Sequence, residues 1–348
     1  MITKIDLAKA TGVSRQTLTD LEAGNIASPE DATVAALSAA LAFPREFFFR
    51  GDIHEIPPDQ PSFRSLRRMT ARQRDAVLAA GSIAFELAAY LEQNLNLPAP
   101  NIPDLREMKA EAAAALVRRE WGMGGAPVRS MVHLLEAQGV KVFSLAERCA
   151  EVDAYSLWHA SQPFVFLNTA KSGERSRFDA AHELAHLVLH RHRNVQESDA
   201  EGDADAFASA FLMPKEEFLG SAPDVLSIDK VLKLKKVWGV SAAAAGTRLH
   251  HLGRTKEWAY RQFFIDLSAR GWRTNEPEAM PREASQLLRK AFDVLRTDGI
   301  TVTSIAEHLA VSVRDIEELV FALVLRPVPG GSPFTSGTSR MKGKLSLV

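Results

Sequence analysis

Cysteine is almost missing from this chain: Cys149 is the only one in 348 residues. A disulfide framework is thereby excluded, as is a metal centre built on Cys-x-x-Cys pairs. Long apolar runs are also lacking. Nowhere do about 18 apolar residues follow one another, and the start, MITKIDLAKATGVS, has no extended apolar stretch. The expectation is a cytoplasmic protein with no membrane contact. Nor does either sign of charge dominate, since 42 Lys and Arg face 43 Asp and Glu for a net charge of -1. A global attraction to nucleic acid is therefore excluded, and DNA binding would need a local patch. What is present is ordinary for a globular protein, 46% hydrophobic and 24% charged, at a length that suits two or three domains.

Residues 4–24 read as helix, tight turn, helix, with Gly12 at the turn and Ser14 as N-cap of the second helix. Another amphipathic helix follows at 30–41. Pro57, Pro58 and Pro61 then mark a linker, placed at 51–69. Helical periods return at 70–95, 104–121 and 127–138. Val140–Phe143, Ala154–Trp158 and Phe164–Leu167 are short, rich in Val, Phe and Tyr, and read as strands of a small sheet. Helices at 174–190 and 199–212 close a domain spanning 70–220. A helical C-terminal region at 221–328 and a disordered Gly/Ser/Lys tail at 329–348 complete the chain. LAKATGVSRQTL (7–18) has a counterpart in IAEHLAVSVRDI (305–316) and a looser one in LKKVWGVSAAAA (234–245). For these two later copies a packing unit is the plainer reading.

The chemistry concentrates at Ala181–His186, which reads AHELAH and contains His-Glu-x-x-His. Two histidines four apart on a helix share one face, where their ring nitrogens can reach a common zinc ion. Leu184, Leu187, Val188 and Leu189 surround them, and strongly polar groups in so apolar a helix need partners. His182 and His186 are thus metal ligands, and Glu183 is the base beside the open side of the metal. A catalytic zinc site takes a third protein ligand. On the next helix Glu201 and Asp205 are four apart and face the same way. Glu201 is assigned as third ligand, with Asp203 as its rival, and Asp205 as the carboxylate that holds a histidine's far N–H. Tyr155 and His159 have two readings, oxyanion stabilisation or, more plainly, strand packing. His190 and His192 read as a solvated helix end.

With AHELAHLVLH followed by EGDADAFASAFLMP, the chain resembles the ImmA/IrrE family of zinc metallopeptidases over roughly 105–215. The resemblance carries over His182, His186 and Glu201 as zinc ligands and Glu183 as catalytic base. It implies a protein substrate, typically a helix-turn-helix repressor cleaved in a stress or mobile-element response. Residues 1–50 resemble a Cro/C1-type (XRE) helix-turn-helix whose first helix is missing, because the chain starts too late to hold it. In that resemblance Arg15, Gln16 and Thr19 would face the DNA major groove. The fold expected is mainly α, with a small α+β zincin-like metallopeptidase core behind an N-terminal helix-turn-helix. The alternative to a peptidase is a DNA-binding regulator with a structural or sensory metal site.

Overall fold

The computed structural model describes residues 2–57, 70–145, 153–191, 197–223, 227–273, 275–320 and 323–324. The head contains α1 (Lys4–Thr11), α2 (Arg15–Glu22), α3 (Asp31–Leu41) and a 3₁₀ turn at Arg45–Phe49. Next come the long α4 (Ala71–Asn94), α5 (Ala110–Glu120) and α6 (Met131–Ala137). The sheet consists of β1 (Lys141–Ser144), β2 (Ala154–His159) and β3 (Gln162–Leu167). After it run α7 (Gly173–Leu189), α8 (Glu197–Leu212), α9 (Lys215–Gly220), α10 (Ile228–Trp238), α11 (Ala242–His251) and α12 (Glu257–Ala269). The C-terminal part holds α13 (Gln286–Thr297), α14 (Val302–His308) and α15 (Val313–Val320). The protein is mostly helical with one small sheet, as its periodicities predict. The tail 329–348, His192 and most of the linker at 51–69 lie outside the described residues. Within 51–57, Ile56 is buried, and a Cβ on Gly81 would sit 2.6 Å from its Cδ1.

One turn recurs at three places. Gly12, Gly239 and Ala310 take left-handed backbone angles (φ 72°, 61° and 50°), each followed by valine and then serine. Each serine starts a helix: Ser14, Ser241 and Ser312 accept from the N–H groups of Thr17, Ala244 and Asp315 at 3.0–3.1 Å. Sequence repetition thus reflects one helix-stop, helix-start device. The surroundings differ. Leu18 is the only buried residue of α2, whereas α11 buries Ala242, Ala245, Gly246, Arg248 and Leu249, and α15 buries Ile316, Leu319 and Val320. The burial of the second and third copies favours the packing reading.

The sheet order is β1-β3-β2, with β1 parallel and β2 antiparallel to β3. Ala160 and Ser161 join β2 to β3 with positive φ (46° and 65°), the backbone of a two-residue hairpin that suits twisted strands. Side chains alternate across β2. Tyr155 and His159 face α4, where Tyr155 donates to the Val77 carbonyl at 3.4 Å and His159 stacks 4.1 Å from Phe85. Ser156 and Trp158 face α7, reaching Glu183 and the Leu187 carbonyl.

Helix α7 starts where Ser172 accepts from the Arg175 N–H at 3.3 Å. Ala180, Ala181, Leu184, Ala185, Leu187 and Val188 are fully or almost fully buried. At about 25 cal/mol per Å² of apolar area, this burial between sheet and α8 is the main force seating the helix. Its C-terminal end is pinned by the Leu105 N–H, which donates to the Val188 carbonyl at 3.0 Å. That bond explains why the helix expected from residue 104 begins only at Ala110. The N-terminal end is held by the nonhelical stretch 276–285. The Met280 N–H donates to Glu174 at 2.8 Å, and Arg282 donates to the carbonyls of Ala170 and Lys171 at 2.9 and 3.1 Å. A Cβ on Gly173 would lie 2.7 Å from the Met280 and Pro281 carbonyl oxygens, so this crossing requires glycine. Lys235, 2% exposed, pairs with Glu174 and, at 3.0 Å, with Glu276. Two buried arginines finish α8: Arg118 donates to the Phe211 carbonyl at 2.6 Å and Arg248 to the Met213 carbonyl at 3.1 Å. Cations at that end satisfy the orphan carbonyls and suit the helix dipole.

Candidate metal centre

Helices α7 and α8 pack side by side and bring three donor atoms together. Nε2 of His182 lies 3.1 Å from Nε2 of His186, and the Glu201 carboxylate oxygens lie 3.5 Å from each ring. Ligands about 2.0–2.1 Å from a tetrahedral centre are about 3.3–3.4 Å from one another. The two ring nitrogens are spaced close to one edge of such a tetrahedron, and the Glu201 carboxylate faces both, Oε2 toward His182 and Oε1 toward His186, with one donor atom from each residue within 4.8 Å of the others. Among the described residues this is the His/Cys/Asp/Glu group whose donor atoms could share a metal ion. Two imidazole nitrogens and one carboxylate oxygen are a donor set for a divalent transition metal.

The far nitrogens are also engaged. Nδ1 of His182 lies 2.9 Å from Oδ1 of Asp205, an acceptor for its Nδ1 proton that leaves Nε2 as the atom to face a metal. Nδ1 of His186 lies 2.9 Å from Nδ1 of His190. Burial disfavours the charged form of His182, but the carboxylates of Asp205 and Glu201 outweigh it and push the pKa up to about 10. Burial likewise raises Glu201, and its bonds to His182 and His186 overcome this and hold it well below the usual carboxylate range. Such mutual attraction marks a cluster arranged around positive charge.

Glu183 is buried at 4% exposure, and one oxygen accepts from the Ser156 hydroxyl at 2.6 Å. Asp203, the rival third ligand, is exposed and lines a shallow cleft with Arg106 and Lys109, away from the cluster. One helical turn separates Glu201 from Asp205, whereas Asp203 falls about 200° round α8 from Glu201. Tyr155 and His159 lie on the opposite face of β2, where the packing reading places them. Residue-by-residue reading missed Ser156 and, although His190 does stand at the helix end, missed its contact with His186. Strand alternation puts Ser156 on the face opposite Tyr155 without naming its partner, whereas the i+4 spacing from His186 would have indicated His190. On the head, Arg15, Gln16 and Thr19 are all exposed on α2. Gln16 donates to Asp20 at 3.1 Å and the Thr19 hydroxyl to the Arg15 carbonyl at 3.0 Å.

A three-stranded sheet backing a His-Glu-x-x-His helix, with a carboxylate helix beside it, defines a metallopeptidase-type domain. Residues 135–250 match the family described as the IrrE N-terminal-like domain, Peptidase_M78, and residues 1–48 match a helix-turn-helix family. The chain thus carries a peptidase domain of the ImmA/IrrE type behind an XRE-type helix-turn-helix. No curated protein matches the chain. No helix among the described residues is long and apolar enough to cross a membrane.

Proposed function

We propose that this protein is a zinc-dependent endopeptidase, with His182, His186 and Glu201 holding the metal and Glu183 acting as general base. The observation that carries this reading is the convergence of the two ring nitrogens and the Glu201 carboxylate, one donor atom from each within 4.8 Å of the others. Zinc bound there would polarise the scissile carbonyl and acidify an attacking water. Glu183 accepts the proton of that water and returns it to the leaving nitrogen. The Ser156 hydroxyl fixes the carboxylate's orientation, and Asp205 fixes the tautomer of His182. The substrate is another protein of the helix-turn-helix repressor class, cleaved in a stress or mobile-element response. The ImmA/IrrE resemblance and the helix-turn-helix head support this choice of substrate class.

The test is to incubate purified protein with repressors encoded beside its gene, with and without a chelator. Cleavage that stops on chelation and returns with zinc supports the reading. Intact repressors beside zinc-loaded protein would remove the substrate class.

The helix-turn-helix match also favours a second reading, sequence-specific DNA binding through Arg15, Gln16 and Thr19. Residues 1–50 have only five cationic side chains (Lys4, Lys9, Arg15, Arg45 and Arg50, the last paired with Glu86) against Asp6, Asp20, Glu22, Glu30, Asp31 and Glu46. Few phosphate contacts are therefore expected, and a gel shift on the gene's own promoter should show a shallow salt dependence. No shift at low salt would end this reading.

A further inference from the structure

His190 stands immediately after α7, at its C-cap, and its backbone N–H donates to the His186 carbonyl at 3.1 Å. That bond keeps the chain in helical register for one residue past the helix, so the His190 ring follows His186 along the same face. The rings meet with centroids 5.0 Å apart and Nδ1 atoms 2.9 Å apart. Two bare lone pairs would repel at that distance, and two N–H groups would clash, so one proton lies between the nitrogens. Nε2 of His186 faces Nε2 of His182 and the Glu201 carboxylate, which requires a bare lone pair when a metal is held there. The proton of neutral His186 then belongs on Nδ1, and Nδ1 of His190 accepts it.

We infer that His190 is a positioning residue for the metal centre, orienting His186 and selecting its ligating tautomer, as Asp205 does for His182. This assignment rests on the metal reading proposed above. His190 is not itself a ligand, because it meets the side of the His186 ring remote from the three clustered donors. The two ligand histidines thus have different supports, an anionic carboxylate behind one and an imidazole behind the other.

Zinc affinity of the full-length protein, measured by competition with a chromophoric chelator, tests the assignment. His190→Leu fills the space without an acceptor and should bind zinc 10–100-fold more weakly, the usual cost of losing such a partner. His190→Asn, whose amide reaches the place of Nδ1, should restore most of the affinity. A folded His190→Leu protein with wild-type affinity would overturn the assignment. Should the leucine variant fail to fold, nitrogen-15 NMR of the zinc-loaded wild type decides. The expected pattern is a protonated Nδ1 on His186 and an unprotonated Nδ1 on His190, and the reverse pattern overturns the proposal. Wild-type protein that takes up no zinc overturns the metal reading along with it, whereas normal uptake by both wild type and variant overturns only the role of His190.

Discussion

The head and the metal centre use helices of similar composition for opposite purposes. In the head, α1 and α2 are joined by a tight turn, bury little beyond Leu18, and leave Arg15, Gln16 and Thr19 in solvent. At the metal centre, α7 and α8 bury most of their apolar residues, and His182, His186 and Glu201 point at one another. A surface helix can change its exposed side chains at small cost, because water satisfies whatever is lost. A buried polar cluster cannot, because each member is the other's only solvent. Perturbations should therefore be large at the centre and small in the head, and that contrast can be measured.

The largest effect is expected at Glu183. Glu183→Gln should lower peptide hydrolysis by about 10²–10⁴-fold with metal content unchanged, because the amide cannot take the proton. Metal analysis beside a cleavage assay checks both halves, and activity that survives the change removes Glu183 as base.

Glu136 gives the next. Burial pushes its pKa up to about 7, against the opposing donors Ser285, Leu287 and Gln286 at the start of α13. An unfolded chain releases this proton near the ordinary value of 4.5, while the folded chain holds it to about 7. Stability should accordingly fall as pH rises between those values, by roughly 3 kcal/mol, and then level off. Chemical denaturation across pH 4–8 measures this, and Glu136→Gln should flatten the trend. An unchanged slope in that variant would assign the pH dependence elsewhere.

Asp205 sharpens the comparison, because its side chain is 54% exposed yet supports a buried ligand. Asp205→Ala should weaken zinc binding by about 10–100-fold with little change in thermal stability. If affinity is unaffected, exposure and not partnership governs the site.

The smallest effect is expected in the head. Ser14→Ala removes the cap that accepts from Thr17 and should cost about 1 kcal/mol, confined to α1–α3. Hydrogen exchange would show faster opening there and unchanged protection in α7. Coupled loss in both regions would mean that they unfold as one unit.

Much of this architecture was legible in the residues. Ser14, Ser172 and Ser241 cap helices that their neighbours' spacing predicts, and β1–β3 fall where Val and Phe cluster. The departures arose where distant chain intervenes. Residues 104–109 have a helical pattern, but Leu105 is committed to the end of α7. Ser156 carries no motif, and only the side-by-side packing of β2 and α7 gives it Glu183. The stretch 276–285 has little apolar periodicity to read, yet it anchors Gly173 and Glu174 at the start of α7.

By itself the sequence determined the pairs one helical turn apart: His182 with His186, and Glu201 with Asp205. Rotation of 100° per residue is a local property that needs no partner. Tertiary structure alone decided that Glu201, and not Asp203, meets the two rings, and that Asp205 stands behind His182. Those choices depend on how α8 is turned against α7. That rotation is set by burying Ala204, Phe207, Ala208 and Phe211, contacts whose geometry no single segment contains.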